Sequence, residues 1–321
     1  MATPAPFPQS PVLTTIAIGY RNPTSIADAV LPRVTVGSES FKYSVYSQGD
    51  AFTVPNTRVG RRGRPTTVEF GGTEVSASTD DYALDASIPN ADIQLYEAQR
   101  QMGVSSYDPQ ALAVMRLTDT IQLDREVRVA NLVFNAATYD ATRQATLSGT
   151  SQFSDYANSN PITTIMAALD KTLVFRPNTA VMGRDAWTAV RQHPKLVNAV
   201  KGGSLQSGVI SESEFASIFD LKEVLIGDSF VNLARPGQTL SLARAWGKHL
   251  ALIYKNPLAF GSVNDGQLSF GLTAQWRTRI SGNIPDPNIG MRGGVGVRVG
   301  ESVKELIVAP QLGYFLQNVA A

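Results

Sequence analysis

A long stretch without helix-breaking residues occupies the middle of this sequence. Asp108 followed by Pro109 is a typical helix start, because aspartate caps free backbone N–H groups and proline suits the first helical position. No further proline or glycine occurs before Gly149. The pattern predicts one long helix. Its apolar positions drift around the helix axis, so we expect its two ends to pack against different elements.

Two segments before this helix lack the composition of a packed domain. Residues 1–11 contain four prolines, which predicts an extended arm that needs a neighbour to lie on. Apolar and polar residues alternate from Phe41, which predicts a strand, and a second strand is predicted at Thr66–Phe70. The two strands would form a long hairpin. An isolated hairpin is marginal in water, so this one is expected to rest on another subunit.

Short helices and strands alternate after residue 160. Helix starts are predicted at Asn160, at Asp185 and at Ser211, where Glu214 completes a capping box. Apolar runs predict strands at residues 180–182, 224–226, 240–245, 250–254, 268–274, 295–299, 306–308 and 314–316. The sequence therefore predicts a mixed α+β fold, and its 43% hydrophobic residues suffice for packed cores.

Little in the sequence points to catalysis. His193 and His249 are the only histidines, and neither has a partner at metal-ligand spacing, so we expect packed or surface histidines. His193 stands beside a proline and is expected at a helix boundary. Asp80 and Asp81 are adjacent carboxylates in a Ser/Thr-rich stretch, which is typical of a turn. We therefore predict no enzyme, and no catalytic, cofactor-binding or metal-binding residues.

Composition limits the partners that the chain can have. Its 28 basic and 27 acidic residues give a formal charge of +1, so no general attraction to nucleic acid or to an anionic membrane is expected. No apolar run approaches the roughly 18 residues that a membrane helix needs. The chain has no cysteine, which excludes disulfides and fits a reducing cytoplasm.

Four arginines in the predicted hairpin form the strongest local concentration of charge. They are Arg58, Arg61, Arg62 and Arg64. The loop could be solvated, could bind nucleic acid, or could clamp a neighbouring subunit. Nucleic-acid binding is weakened by the lack of interleaved aromatic residues. An intersubunit clamp is favoured over a solvated loop, because a long unsupported hairpin needs a partner surface and arginine forks suit carboxylates.

The order of these elements resembles the major capsid proteins of tailed bacteriophages, which have the Hong Kong 97-type fold. A more specific likeness to capsid proteins related to the lambda major head protein lies in the run Arg176-Pro-Asn-Thr-Ala-Val-Met-Gly, in Trp187 and in His193-Pro-Lys-Leu. The segments Ala245-Trp-Gly, Leu252-Ile-Tyr and Gly313-Tyr-Phe-Leu resemble the closing strands of that family. The likeness extends over essentially the whole chain.

This resemblance implies an α+β capsid fold in five parts. They are an N-terminal arm (1–40), an extended β-hairpin loop (41–80), a peripheral domain (81–160) with a spine helix at 108–139, an axial domain (161–283), and C-terminal strands (284–321) that return to the peripheral domain. The implied function is self-assembly, through pentamers and hexamers, into an icosahedral phage head that encloses double-stranded DNA. The protein would be made in the host cytoplasm and would end in the virion.

Further partners follow from the same resemblance. A portal protein is expected, separate scaffold and decoration proteins are allowed, and packaged DNA would be contacted without sequence recognition. Some relatives carry a helical scaffolding segment ahead of the shell domain. The proline-rich start leaves no room for one here, so a separate scaffold protein or none is expected.

Two other functions remain open from the sequence alone. An encapsulin-like cellular shell has the same fold but packages an enzyme, and neighbouring genes would distinguish the two: portal and terminase genes favour the phage. An α/β hydrolytic enzyme with an unfamiliar site is more remote, because no convergent nucleophile, histidine and aspartate pattern occurs.

Overall fold

The computed structural model describes residues 8–20, 22, 24–46, 54–67, 72–104, 107–202, 208–235, 237–256 and 268–321. Its α-helices are α1 (Pro11–Gly19), α2 (Ala27–Val30), α3 (Asn90–Gln101), α4 (Pro109–Val133), α5 (Pro161–Asp170), α6 (Arg184–Arg191), α7 (Pro194–Lys201) and α8 (Glu212–Phe219). Its β-strands are β1 (Arg33–Val36), β2 (Ser40–Tyr46), β3 (Gly72–Ser78), β4 (Asp80–Pro89), β5 (Gln144–Thr146), β6 (Thr179–Gly183), β7 (Glu223–Gly227), β8 (Phe230–Asn232), β9 (Leu242–Arg244), β10 (Leu250–Ile253), β11 (Gly271–Asp286), β12 (Gly294–Ile307) and β13 (Gly313–Gln317).

Two larger sheets organise these elements. One has four strands in the order β1-β11-β12-β4, and the other has five in the order β5-β13-β10-β6-β7. Every residue of β6 and β10 is buried. Helices α5 to α8 pack on one face of the five-stranded sheet, while α4 and Trp246 pack on the other. Burial on both faces explains why β10 is a continuous apolar run rather than an alternating one.

The long predicted helix is confirmed as α4, but it ends earlier than residue 139. Asp108 accepts a hydrogen bond from the backbone N–H of Gln110 at 2.9 Å, as expected of a cap. The helix ends at Val133. The hydroxyl of Tyr139 donates to the carbonyl of Val133 at 2.8 Å. A side chain that folds back thus satisfies a carbonyl of the last turn, and no glycine or proline is needed to end the helix.

Residues 11–36 differ from the extended arm expected over residues 1–40. Ser10 caps α1, and Leu13 and Ala17 of that helix are buried against α4 and the four-stranded sheet. Strand β1 then pairs in parallel with β11. Burial of these apolar side chains, which follow the proline-rich residues, stabilises the helical structure of residues 11–19. Residues 1–7 lie outside the described part of the chain.

The predicted hairpin exists, but its second strand lies further along the chain. Strands β2 and β3 pair antiparallel, from Ser40 opposite Ser78 to Tyr46 opposite Gly72. Thr66 and Thr67 have no regular structure, and the rest of the predicted strand 66–70 lies outside the described residues. A short apolar run gives no register, so the pairing partner could not be located from the sequence.

The sheets do not follow the expected division of the C-terminal half of the chain. The boundary at residues 283 and 284 falls inside β11, which pairs with β12 on both sides of that boundary. The C-terminal residues expected to return to the peripheral part are divided between the two sheets: β12 belongs to the four-stranded sheet and β13 to the five-stranded sheet. Strand β13 pairs there with β5 and β10. Long-range strand pairing decides these assignments, and local pattern does not.

Three local predictions are also corrected. Asp80 and Asp81 are not turn residues but begin β4, where Asp80 pairs with Lys304 at 2.8 Å and Asp81 accepts a hydrogen bond from Ser302. Helix α6 starts one residue before Asp185, and no side chain caps it. Asp80 and Asp81 are extended because β4 pairs with β12 at these residues, a long-range contact that the local Ser/Thr-rich pattern does not reveal. The predicted strand 240–245 is shorter, at β9.

Several local predictions are confirmed. Asn160 accepts a hydrogen bond from Thr163 and caps α5, and Ser211 with Glu214 forms the capping box of α8. His193 lies at the start of α7. Among the residues that the structure describes, no helix is long and apolar enough to cross a bilayer.

Candidate intersubunit interface

The loop between β2 and β3 carries the four arginines. Its described residues, 54–67, have no strand pairing and are organised by local hydrogen bonds. Asn56 is central: its side chain accepts from the N–H of Arg58 at 3.1 Å, and its carbonyl accepts from the hydroxyl of Thr66 at 3.0 Å. A tight turn follows, where the N–H of Gly63 donates to the carbonyl of Gly60 at 2.8 Å. The loop is therefore held in shape without a core beneath it.

All four arginines that were predicted to contact a neighbouring subunit lie on this loop and are exposed: Arg58, Arg61, Arg62 and Arg64. Over the described residues, no carboxylate lies within ion-pair distance of their guanidinium groups. Val54 and Val59 are exposed on the same loop. The loop therefore presents arginine forks and apolar side chains together, a combination suited to an acidic protein surface with apolar patches.

The base of the hairpin is better anchored than its tip. Phe41 on β2 packs against the small core formed by Val34, Val36 and Leu272. Next to it, Lys42 pairs with Glu74 across the two strands, with 3.0 Å between the Nζ and Oε2 atoms. The hairpin is thus fixed where it leaves the four-stranded sheet.

Helix α3 is a second exposed element, and the sequence did not predict it. None of its residues is buried. Leu95 is exposed, as are Met102 and Tyr107 in the connection to α4. A helix of this length is marginal in water without packing. Pro89 before the helix and Gly103 after it were sequence signals for its two ends. The helix was not predicted because it lacks a clear apolar stripe.

A buried ion cluster stiffens the sheet that carries the hairpin. Glu301 on β12 accepts hydrogen bonds from Arg33 at 2.9 Å and from Arg279 at 2.8 Å. A bulge in β11 between Trp276 and Ile280 brings Arg279 into this position. Burial by itself would raise the pKa of Glu301, but the two guanidinium groups outweigh it and lower the pKa to about 2. The carboxylate therefore stays charged under ordinary conditions.

Both histidines are packed inside the protein. His193 is fully buried; its Nδ1 accepts the N–H of Lys195 at 3.2 Å, which leaves Nε2 to donate to Ser159 Oγ at 3.0 Å. Burial, and then the charge of Lys195, lower the pKa of His193 to about 4. His249 accepts the N–H of Asn318 at 3.0 Å, and burial also lowers its pKa. Both residues are thus neutral structural groups at neutral pH.

The described part of the chain contains no group of three or more His, Cys, Asp or Glu side chains that could hold a metal ion. The prominent features are instead three exposed elements, none of whose described residues is buried: the arginine loop, α3, and the hairpin of β8 and β9. Such surfaces are typical of proteins whose interfaces are completed by a partner.

Comparison with known proteins identifies a sequence relative that matches essentially the whole chain. The chain is 48% identical over 317 residues, or 99% of each chain, to the major capsid protein of Pseudomonas phage JBD67. No family model matches the sequence.

Solved structures show the same fold. A phage-related protein from Bordetella bronchiseptica RB50 superposes with a TM-score of 0.74 at 22% identity, over 98% of both chains. The capsid structure of cyanophage P-SCSP1u gives a TM-score of 0.55 at 11% identity, over 99% of this chain and 92% of that one. These likenesses confirm the predicted fold class, the Hong Kong 97-type capsid fold.

Proposed function

The chain belongs to the major capsid proteins of bacteriophages, and we propose that its copies assemble through pentamers and hexamers into an icosahedral head that encloses double-stranded DNA. The observation that carries the proposal is the 48% identity to a phage major capsid protein over 99% of both chains. The capsid fold supports it independently of sequence identity. An encapsulin-like shell is the weaker alternative, because the relative with high identity is a phage protein.

Assembly would take place through large contacts between different surfaces of neighbouring copies. Obligate interfaces commonly bury more than about 2,000 Å². Contacts of this heterologous kind generate closed rings when the rotation between copies closes. The exposed arginine loop and the unburied α3 are surfaces that one copy cannot cover by itself. These exposed surfaces support the proposal that the chain functions in an assembly.

We assign different places in the shell to the two sheets. The four-stranded sheet with α4 would form the peripheral part, from which the hairpin of β2 and β3 extends toward a neighbour. The five-stranded sheet with α5 to α8 would form the axial part, which meets its copies around the fivefold and sixfold centres. Helix α4 contacts both sheets, through Val114 at one end and Val133 at the other, so it would set their relative position.

The four loop arginines would hold the hairpin on an adjacent subunit. Arg58, Arg61, Arg62 and Arg64 are exposed, and each guanidinium group can donate two parallel hydrogen bonds to one carboxylate. Each exposed pair contributes only about 0 to 1 kcal/mol. The same contact repeats in every copy of the shell, so small contributions would set the protein concentration at which assembly begins.

The other expected partners remain part of this proposal. A portal protein would occupy one vertex, packaged DNA would be contacted without sequence recognition, and a scaffold or decoration protein could join. Assembly would take place in the host cytoplasm. A shell subunit needs no catalytic residues, and we assign none.

Electron microscopy of the protein expressed alone tests the proposed function. We expect capsomers, tubes or closed shells under assembly-promoting salt, because the contacts reside in the chain itself. A stable, monodisperse monomer at high concentration would contradict the proposal. Gene context adds a second test: an adjacent gene for a peroxidase or ferritin-like cargo, without portal and terminase genes, would favour the cellular shell.

A further inference from the structure

A small hairpin follows β7 and stands apart from both large sheets. Strands β8 and β9 pair Phe230 with Arg244 and Asn232 with Leu242, and they form a sheet of their own. The side chain of Asn232 organises the turn, because its Oδ1 accepts from the N–H groups of Ala234 at 3.0 Å and Ser241 at 3.2 Å. We call residues 230–244 the apolar hairpin. A two-stranded hairpin this short is marginal in water by itself.

Arg244 fixes the base of the apolar hairpin to the body of the protein. Its Nε donates to Asp185 at 3.1 Å, and its Nη1 pairs with Asp228. The guanidinium carbon lies 4.4 Å from the centre of the Phe230 ring. Asp228 is held in turn by Arg184 at 3.1 Å. The hairpin is therefore oriented before any partner arrives, which lowers the entropy lost on binding.

Large apolar side chains cover the outside of this hairpin. The exposed fractions are 50% for Phe230, 69% for Leu233, 64% for Leu240 and 58% for Leu242. Scattered single apolar residues on a surface are ordinary. Four within one short hairpin form a patch, and exposed patches of this kind mark interaction sites.

We propose that the apolar hairpin packs against a second copy of this chain in the assembled shell. This inference rests on the proposed function, because it requires that copies meet. Charge supports a second copy as the occupant. Arg244 is already paired within its own chain, so the charge that the hairpin presents is the exposed Arg235. The hairpin has no acidic residue, so an apolar surface with a carboxylate is its complement.

A second copy offers such a surface between α7 and α8. A shallow groove of about 520 Å³ is lined there by Val200, Ser213, Glu214, Ser217 and Ile218. Glu214 is engaged in the capping box of α8, so the carboxylate available to a partner is that of the exposed Glu212 beside the groove. The groove lies between α7 and α8, whereas Arg244 at the hairpin base contacts Asp185 in α6 and Asp228 after β7. Two different surfaces of one chain can make a contact that repeats around a ring.

Substitution at the hairpin tests the contribution to assembly. Leu233→Ser with Leu242→Ser removes exposed apolar groups, and Gln238→Ala with Thr239→Ala is the matched control in the same turn. Both variants should melt like the wild type by circular dichroism, because the hairpin lies outside the cores. The serine variant should need about tenfold more protein to assemble, by sedimentation, while the control stays near wild type.

Cysteine reactivity tests the contact directly and does not depend on how the serine variant folds. The chain has no cysteine, so Leu240→Cys introduces a unique thiol. In shells made from the purified chain alone, maleimide should react about tenfold more slowly than with free subunits, since only a second copy can cover the hairpin. Asn158→Cys, in an exposed turn, controls for access of the reagent.

The outcomes separate this inference from the proposed function. Slower reaction at position 240 together with impaired assembly of the serine variant would establish the contact. Shells that form normally from the serine variant, with full reactivity at position 240, would overturn it and leave the hairpin to a different partner. Failure of the wild-type chain to form any assembly would instead count against the proposed function.

Discussion

Glu126 accepts the indole N–H of Trp246 at 2.5 Å, and both residues are buried. The carboxylate also accepts the backbone N–H of Ala27 at 2.5 Å and the hydroxyl of Ser25. Three segments that are distant in sequence are therefore tied together at one side chain of α4. They are residues 25–27 at the start of α2, α4 itself, and the residues that lead into β10.

Removal of the Glu126 carboxylate should strongly destabilise the subunit. We expect Glu126→Ala to lower the free energy of unfolding by about 3 to 5 kcal/mol, because buried donors lose their acceptor. Urea unfolding of unassembled subunits, followed by tryptophan fluorescence, measures the loss. Asp124→Ala is the control on the same helix: its exposed pair with Arg128 should be worth less than about 1 kcal/mol. Equal losses in the two variants would contradict the assigned role.

His193 should make the protein sensitive to mild acid. The pKa of this histidine falls from 6.5 to about 4 on folding. The unfolded chain therefore binds the proton first, so stability is fully present above pH 6.5 and is lost as the pH falls toward 4. Asn at position 193 could still cap α7 without titrating.

Unfolding at two pH values measures this effect. Between pH 7.5 and pH 4.5, the free energy of unfolding should drop by about 2 kcal/mol more in the wild type than in His193→Asn. His249 is present in both proteins, so its contribution cancels. The same drop in both proteins would show that His193 is not the responsible group.

Replacement of the loop arginines should impair assembly and leave the subunit folded. Arg58, Arg61, Arg62 and Arg64 changed together to alanine should give an unchanged circular dichroism spectrum, because all four are exposed. Sedimentation should show a higher concentration threshold for assembly. The wild type should also need more protein as salt rises, since ions screen exposed pairs.

A quadruple lysine variant is the matched control for this experiment. Lysine keeps the charge but loses the planar fork, so its threshold should fall between those of the wild type and the alanine variant. Unchanged assembly of the alanine variant would rule out the clamp. Normal shells that fail to package DNA would favour the nucleic-acid function of the loop.

Mature particles should not be covalently crosslinked through the hairpin. Lys42 is the only lysine in residues 41–80 and lies at the base of the hairpin, where it pairs with Glu74. The outer part carries arginines, which stay protonated and cannot act as amine nucleophiles. Boiled particles should therefore run as monomer on a denaturing gel. A ladder of multimers that Lys42→Arg abolishes would contradict this prediction.

Some elements could be predicted because their causes are local. The starts of α4, α5 and α8 depend on caps within a few residues, at Asp108, Asn160 and Ser211. The apolar run of β10 reflects burial that any neighbour would impose. Helix α1 was missed because its short apolar run follows a proline-rich start and is stabilised by packing against α4.

The helix starts, the apolar strands and the arginine loop could be predicted without a structure, because they follow from residues a few positions apart. The sheet that each strand joins, and the contacts of Glu126 with Trp246 and of Arg279 with Glu301, depend on long-range packing. Those pairs form only when the whole chain folds, because bringing distant segments together costs conformational entropy. Burial elsewhere in the fold offsets that entropy. No pattern of neighbouring residues could have specified them.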